Sequence, residues 1–407
     1  MTARTVGMRA ELTFRANVGQ GRHGWLRLTP AYSVGLVERL VEENGDGPIL
    51  DPFAGTGTTI IAAKHRGVES EGVDINPFLV WLGETKARVY SKDDVERALD
   101  LGRWASARLG EQVASRPPWT PPLADIRKWW PPDVLNALGH LHADLGLMND
   151  TESQPQRLLA VAFCNVMISS ANVSFGHQSM SFKEPHGMLF AAADWLRHTF
   201  DAALEQVVGD AVGWQEGARH RFTLGDSRHL EQVVSNGPFA RVITSPPYPN
   251  RMSYIRELRP YMYWLCYLRR ARDAGELDWR AIGGTWGCAT SNVAKWESQD
   301  ISAVDRVFDR KLFREISARS PVLGRYVLKY FCDAEQHVRA LRRVLAPGAR
   351  VDYIVGNSKY YDTLVQTQDL YARLFRQNAF HDVGTVVLRK RSSKKELLEY
   401  QVRAFAG

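Results

Sequence analysis

The sequence predicts an α/β protein: a doubly wound, mostly parallel sheet enlarged by large, mostly helical insertions. Three observations predict it. A short apolar run at residues 48–50 ends in Asp51 and enters a glycine turn. A second short strand, Glu71-Gly72-Val73-Asp74, closes on Asp74 after an interval that holds one helix. The same pattern resumes far downstream, at residues 222–226 and 240–244. Strand, tight turn, helix and strand in so short a span make a βαβ unit of the doubly wound kind.

The elements follow in order. Residues 1–24 are polar, with glycine near their end, and are expected to form a loose arm. Residues 32–43 (YSVGLVERLVEE) have helical periodicity, and Gly45 and Gly47 then break the chain. The strand at 48–51 leads through the turn to a helix over 58–65, which Gly67 ends, and 71–74 form the next strand. Residues 88–220 read as an insertion, with helical stretches at 91–110 and 133–147. It also holds a Pro/Trp-rich passage, from Arg116-Pro117-Pro118-Trp119 to Trp129-Trp130-Pro131-Pro132, and a polar, aperiodic segment at 169–186. Strands return at 222–226, where Asp226 ends the run, and at 240–244. A second, aromatic-rich insertion covers about 250–330. Its tryptophans Trp264, Trp279 and Trp286 are expected in the core. A long helix at 327–345, a strand at 350–355, a helix at 363–377 and a strand at 383–390 complete the domain. The organisation is therefore an N-terminal catalytic part (1–87), a helical insertion with the features of a target-recognition region (88–220) and a C-terminal catalytic part (221–407).

Composition narrows the function. The chain has 407 residues, 44% apolar and 24% charged, more than one compact core needs. No run approaches the ~18 apolar residues of a membrane span, and the N-terminal residues lack a secretory apolar core. Cys164, Cys266, Cys288 and Cys332 form no CxxC pair, which suits a reducing cytoplasm and speaks against a zinc site or a disulfide framework. Eleven histidines show no ligand spacing, His177 and His186 included, so no metal is expected. The net charge is +7, and the residues from Leu341 onward hold 12 Lys/Arg against 6 Asp/Glu. The densest run there is Arg389-Lys390-Arg391 with Lys394-Lys395, a solvated tail or a phosphate contact.

Two motifs carry chemistry. The first is Asp51-Pro52-Phe53-Ala54-Gly55-Thr56-Gly57-Thr58. Glycines after a strand let the backbone approach a ligand and present N–H groups at a helix start. No Gly-Lys-Ser/Thr follows, which disfavours a Walker loop, and Ile60 stands where a dinucleotide fingerprint has its third glycine. A side chain at Gly57 is expected to enter the ligand cleft. Asp74 closes the next strand, where a carboxylate can take both hydroxyls of a ribose, and Asp226 could accept from an adenine amino group. The second motif is Thr244-Ser245-Pro246-Pro247-Tyr248. Adjacent prolines stop ladder pairing and stiffen the chain, fixing the carbonyls near Ser245 and Pro246. Tyr248 adds a flat face beside them. An exocyclic amine, whose lone pair is delocalised into its ring, needs such acceptors on its N–H bonds and such a stacking surface.

The pair resembles the DNA amino-methyltransferases of restriction–modification type, in which DPFxGxGT is the cofactor motif and [DNS]PP[YFW] the catalytic one. The Ser form is closest to the cytosine-N4 branch, with adenine-N6 as the neighbouring alternative. The match covers residues 25–85, 220–260 and 327–390. The resemblance implies a Rossmann-like S-adenosylmethionine-dependent methyltransferase fold, S-adenosylmethionine as cofactor, and double-stranded DNA as substrate. It leaves room for a cognate restriction endonuclease and leaves oligomeric state open. By the same resemblance Asp51, Phe53, Gly55 and Gly57 surround the methionine part of the cofactor, with Pro52, Ala54 and Thr58 completing the turn. Asp74 with Ile75 holds the ribose, and Asp226 with Ser227 the adenine end. Thr29 and Pro30, in Arg27-Leu28-Thr29-Pro30-Ala31-Tyr32, stand at the N-terminal cofactor segment. Ser245, Pro246, Pro247 and Tyr248 engage the base. Residues 345–348 and 355–358 look like the closing part of such a domain, and 251–259 lie beside the catalytic loop, where they could touch the flipped strand. A cytosine-C5 enzyme is excluded, since no cysteine follows a proline, and a zinc deaminase is excluded by the missing HxE and PCxxC pair. An RNA amino-methyltransferase and a non-catalytic DNA-binding protein remain as other classes.

Overall fold

The computed structural model describes residues 12, 17, 19–26, 28, 32–43, 45, 47–109, 119–174, 181–183, 192–249, 253–283, 290–297, 310–391 and 396–407. Helix α1 spans Val34–Glu43, and β1, Ile49–Asp51, leads through the glycine turn to α2, Thr58–His65. Strand β2, Ser70–Asp74, is followed by α3, Pro77–Ala87, whose first turn is capped by the Asn76 side chain on the Phe78 N–H. Next come α4 (Lys92–Ala107), α5 (Ile126–Trp129), α6 (Pro132–Asp144) and α7 (Gln154–Ser169). A small hairpin, β3 (Val173–Ser174) and β4 (Ser181–Phe182), precedes α8 (Ala192–Ala211). Strand β5, His220–Leu224, α9, Leu230–Val233, and β6, Phe239–Thr244, bring the chain back to the sheet. The second insertion holds α10 (Tyr254–Trp264), α11 (Asp273–Arg280), α12 (Thr290–Lys295) and α13 (Arg310–Arg319). Helix α14 (Pro321–Val344), β7 (Leu345–Gly356), hairpin β8–β9 (Ser358–Tyr360, Thr363–Val365), α15 (Thr367–Gln377), β10 (Phe380–Lys390) and β11 (Leu398–Ala406) close the fold.

The seven-stranded sheet runs β10-β11-β7-β6-β1-β2-β5. Pairs β1–β2, β1–β6, β2–β5 and β6–β7 are parallel, and β11 is antiparallel to both neighbours. The chain winds outward from β1 in one direction through β2 and β5 and in the other through β6 and β7. The crevice beyond the carboxyl ends of β1 and β6 is therefore the topological switch point, the usual ligand position in such sheets.

The two insertions share one core. Tyr261 of α10 stacks on Phe78 of α3 at 5.0 Å, and His142 of α6 bonds the Trp264 carbonyl at 2.8 Å. Trp129, Trp130 and Trp264 are all buried there, and burial of such rings is worth several kcal/mol of stability. Trp129 and Trp130, at the end of the Pro/Trp passage, are thus packing rather than a stacking surface, and Arg116, Pro117 and Pro118 lie outside the described residues. Trp264 meets its expectation, Trp279 is half-buried under Lys329 at 5.0 Å, and Trp286 lies outside the described residues.

Several expectations shift. The first 24 residues are not all a loose arm: Arg22 is buried, stacked 3.9 Å from the Trp214 ring, and donates to the carbonyls of Lys86, Arg88, Asp210 and Ala211. Strand β5 stops at Leu224, so Asp226 caps a short turn instead of ending the strand. The helix expected from 363 starts at Thr367, because 363–365 pair back in a hairpin. Strand β11 carries Glu399 and Gln401 on its buried side, so its alternation does not mark a core strand.

Candidate functional site

The glycine turn is built from β1 and β2 together. The Ala54 N–H donates to the Val73 carbonyl (2.9 Å), the Gly55 N–H to the Asp74 carboxylate (2.9 Å) and the Gly57 N–H to the Ala54 carbonyl (2.8 Å). Gly55 and Gly57 have φ of 51° and 83°, the left-handed region that a side chain strains. A Cβ on Gly55 would meet only the Phe53 carbonyl, at 3.8 Å. A Cβ on Gly57 would press on Phe222 (3.0 Å) and the Gly83 backbone (3.2 Å). The Gly57 position therefore faces the packing between β5 and α3, not the cleft, which corrects the expectation. The residue before α2, Gly57, has no side chain to cap the first turn, which suits leading N–H groups turned to a ligand.

Asp51 is fully buried. Its carboxylate accepts from the Thr244 hydroxyl (2.5 Å), the Phe53 N–H (3.1 Å) and the Tyr32 hydroxyl (3.3 Å), while burial pushes its pKa up. Asp51 thus welds the two motifs together rather than offering a face to a ligand. Pro52 is buried, Phe53 half-buried with its ring on His337 at 4.6 Å, and Ala54 and Thr58 buried. Asp74 is half-buried. Burial raises its carboxyl to about 6, against the pull of the Asn76 and Gly55 N–H groups. Ile75 beside it packs against the helical core.

The Asp226 carboxylate is already filled. It takes the Arg228 N–H (3.0 Å) and the Arg228 guanidinium (2.6 Å), which also pairs with Asp333 (2.9 Å). Against burial, Arg228 holds its pKa below the usual range. Ser227 is buried and its carbonyl accepts from His337 Nδ1 (2.9 Å). Thr29 and Pro30 lie outside the described residues, as do Arg27 and Ala31. Tyr32, which closes that segment, reaches Asp51 and Thr59.

The Thr244–Tyr248 loop leaves the carboxyl end of β6, beside β1 (Leu50 opposite Val242). Ser245 Oγ donates to the Ile354 carbonyl of β7 (3.0 Å), which leaves its lone pairs as acceptors. Pro246 is buried and Pro247 half-buried. Three tyrosines that sequence reasoning missed hold the loop. Tyr330 of α14 donates to the Pro247 carbonyl (2.6 Å), Tyr360 of β8 to the Pro249 carbonyl, and the Tyr254 hydroxyl of α10 accepts the Tyr248 N–H (2.7 Å). Nothing in their spacing marks them, since each comes from a different element.

Two residues of the basic run are not in a tail. Arg389 pairs with Glu399 (2.7 Å), and the Arg391 guanidinium lies 4.7 Å from the Tyr248 ring centroid. Lys394 and Lys395 lie outside the described residues, as do Arg251, His177 and His186. Lys86 was also unforeseen. It is buried behind the glycine turn, its Nζ 3.5 Å from the Thr56 carbonyl, and burial lowers its pKa to about 7.

A doubly wound sheet with a glycine turn and a proline-stiffened loop on neighbouring strands of its switch point defines a class: the Rossmann-like fold of methyltransferases. Sequence comparison agrees with that class. The chain is 38% identical over 92 residues to the Type II methyltransferase M.BsoBI of Geobacillus stearothermophilus, covering 21% of this chain and 18% of that protein. It is 29% identical over 108 residues to the Type II methyltransferase M.AvaI of Anabaena variabilis, covering 26% and 22%. With the Type II methyltransferase M.MvaI of Kocuria varians the likeness is broader and weaker, 19% over 357 residues, covering 82% and 75%. The chain thus matches about a fifth of the length of the first of these relatives. No family model matches. An rRNA methyltransferase from Streptomyces viridochromogenes, aviRa, aligns over 97% of this chain and 96% of its own at 10% identity, with a TM-score of 0.30, too low to bear on the fold.

Proposed function

We propose that this protein is an S-adenosylmethionine-dependent DNA methyltransferase that modifies an exocyclic amino group, N4 of a flipped cytosine. One observation carries the reading. The glycine turn and the Ser-Pro-Pro-Tyr loop leave adjacent parallel strands at the switch point and are bonded through Asp51 and Thr244 at 2.5 Å. The sequence likeness to Type II methyltransferases supports it.

The turn fits the cofactor. Gly55 opens onto free space, the α2 N-terminus is uncapped, and Asp74 stands half-exposed one strand away, where its carboxylate can take ribose hydroxyls. The bound cofactor supplies an electrophilic sulfonium methyl. Ser245, its proton committed to Ile354, would accept one amine N–H, and the Pro246 carbonyl the other, so the nitrogen can become tetrahedral as it attacks in line. The N–CH3 bond would form as the S–CH3 bond breaks, the neutral thioether would leave, and the nitrogen would shed one proton to solvent. Tyr248 supplies the stacking face for the extruded base. Asp51 acts by holding Thr244 and Phe53, and Asp226 by shaping the turn that carries Ser227.

Charge divides the labour between the insertions. Residues 250–330 carry 15 Lys/Arg against 9 Asp/Glu, whereas residues 88–220 carry 12 against 16. The second insertion suits the phosphate backbone, with Arg256 and Arg259 on α10 directly after the catalytic loop. The first keeps target recognition through the segment around 169–186.

The deciding experiment is nucleoside mass analysis of DNA incubated with the protein and labelled S-adenosylmethionine. N4-methylcytosine supports the reading as stated. N6-methyladenine keeps the cofactor and mechanism and overturns the base assignment. Label in RNA alone, or in no nucleic acid, overturns it in favour of an RNA enzyme or a non-catalytic DNA-binding protein.

A further inference from the structure

We propose that Arg391, Glu399 and Arg389 form a clamp that fixes the Tyr248 ring as the base platform, with Arg391 stacked on one face so that the target base takes the other. The proposal rests on the methyltransferase reading of the Tyr248 loop.

The clamp comes from the strand pair β10–β11, far from the loop in sequence. The Tyr248 hydroxyl donates to Glu399 Oε1 (2.9 Å). Glu399 is buried and is gripped by Arg389 through Nε (2.7 Å) and a terminal nitrogen (3.0 Å). A phenol bonded to a carboxylate so held has its tip fixed in place, because a buried, charge-assisted bond is costly to break, and the plane of the ring is left to the group stacked on its face. Arg391 then covers the ring at 4.7 Å while donating to the Asn357 carbonyl (2.7 Å). Asn357 is itself tied down: its side chain donates to the Glu396 carbonyl (2.7 Å) and accepts the Leu398 N–H (2.9 Å). The guanidinium is thus pinned on both sides, by a carbonyl and by a ring.

Gly356 shows that this contact is built. A Cβ there would strike the Arg391 guanidinium and come within 2.9 Å of Tyr248 Cε2. Only a residue without a side chain lets β7 pass beneath both groups. Hydrogen-bonding the phenol to a carboxylate enriches the ring in electrons, which strengthens its attraction to the cation. A ring fixed in plane and filled on one side presents one face, at a set depth, to an incoming base. That is the alignment an in-line transfer needs. These residues act through Tyr248 and are positioning residues.

The test is a pair of double-mutant cycles on methyl incorporation into plasmid DNA, with cofactor affinity measured alongside. Arg391→Ala should lower kcat about ten-fold and leave the cofactor Kd within about two-fold. Arg391→Lys, which keeps a cation over the ring, should recover most of the loss. In a Tyr248→Leu background Arg391→Ala should cost nothing further, and Glu399→Gln should cost nothing further in a Tyr248→Phe background. Losses that multiply in either background, or an equal loss of cofactor binding, overturn the clamp. If the wild-type protein labels no nucleic acid, the functional reading fails by itself. The clamp is then judged on arginine Nε–H resonances: one ring-shifted signal should move to the ordinary range in Tyr248→Leu, and its absence in the wild type refutes the stack.

Discussion

Replacing each glycine of the turn by alanine separates folding from ligand binding. At Gly57 the alanine takes a left-handed conformation at φ 83°, which costs about 1–2 kcal/mol. Its methyl also presses on Phe222 at 3.0 Å and on the Gly83 backbone at 3.2 Å. The backbone cannot turn aside, so overpacking adds about 1–3 kcal/mol. The sum, about 2–5 kcal/mol, should lower Tm by about 2–8 °C in a chain of this size. At Gly55 the conformational cost is similar, but the methyl meets nothing nearer than the Phe53 carbonyl at 3.8 Å. Gly55→Ala should therefore melt within a few degrees of wild type, about 2 °C lower, yet lose cofactor affinity by about ten-fold or more, since under the proposed function its methyl would stand where the protein backbone approaches the cofactor. Scanning calorimetry and titration calorimetry with S-adenosylmethionine read the two effects. A Gly57→Ala protein that melts like wild type but binds no cofactor would refute the argument, because the Gly57 methyl would then lie in the cleft after all.

Other outcomes follow from the same geometry. Burial raises the Asp74 carboxyl to about 6, and the ionised carboxylate accepts from two ribose hydroxyls more strongly than the acid does, so under the proposed function cofactor affinity should be full well above pH 6 and fall as pH drops through it. Asp74→Asn should bind weakly with no such pH dependence, and a wild-type titration flat from pH 5 to 8 contradicts the role. Tyr248→Ala should cut turnover at least about a hundred-fold while changing cofactor Kd little; equal losses in both would remove its role as a platform. Substituting Arg256 and Arg259 by alanine should reduce the slope of log affinity for DNA against log salt by about 1–2, and an unchanged slope would place the DNA elsewhere. Lys86→Met should stabilise the chain near neutral pH: its folded pKa, about 7, lies below the ordinary lysine range, so the folded state pays for any proton that Lys86 carries, and lower stability in a denaturant titration would show that the ammonium supports the turn.

The amino-acid sequence by itself determined the sheet at the site and the order of its motifs. The strands at 49–51, 70–74 and 239–244 and helix α2 fall where apolar runs, glycine punctuation and helical period place them, because these signals are local. The DPFAGTGT and TSPPY segments were legible for the same reason, each being a short backbone device whose chemistry depends on its own residues. Only the tertiary structure decided what surrounds them. Asp51 proved to be a buried tie to Thr244, and Asp226 to be filled by Arg228, since partners 193 and 2 residues apart are equally invisible to composition. Trp129 and Trp130 of the first insertion became core because α3 and α10 close over the same apolar face, while Trp104 stayed exposed. Tyr330, Tyr360 and Tyr254 reached the loop from three elements, and Arg391 left a basic run to lie on Tyr248. Local patterning encodes which element a residue joins, but a side chain's partner is set by how distant elements stack, and that is written only in the packed sheet.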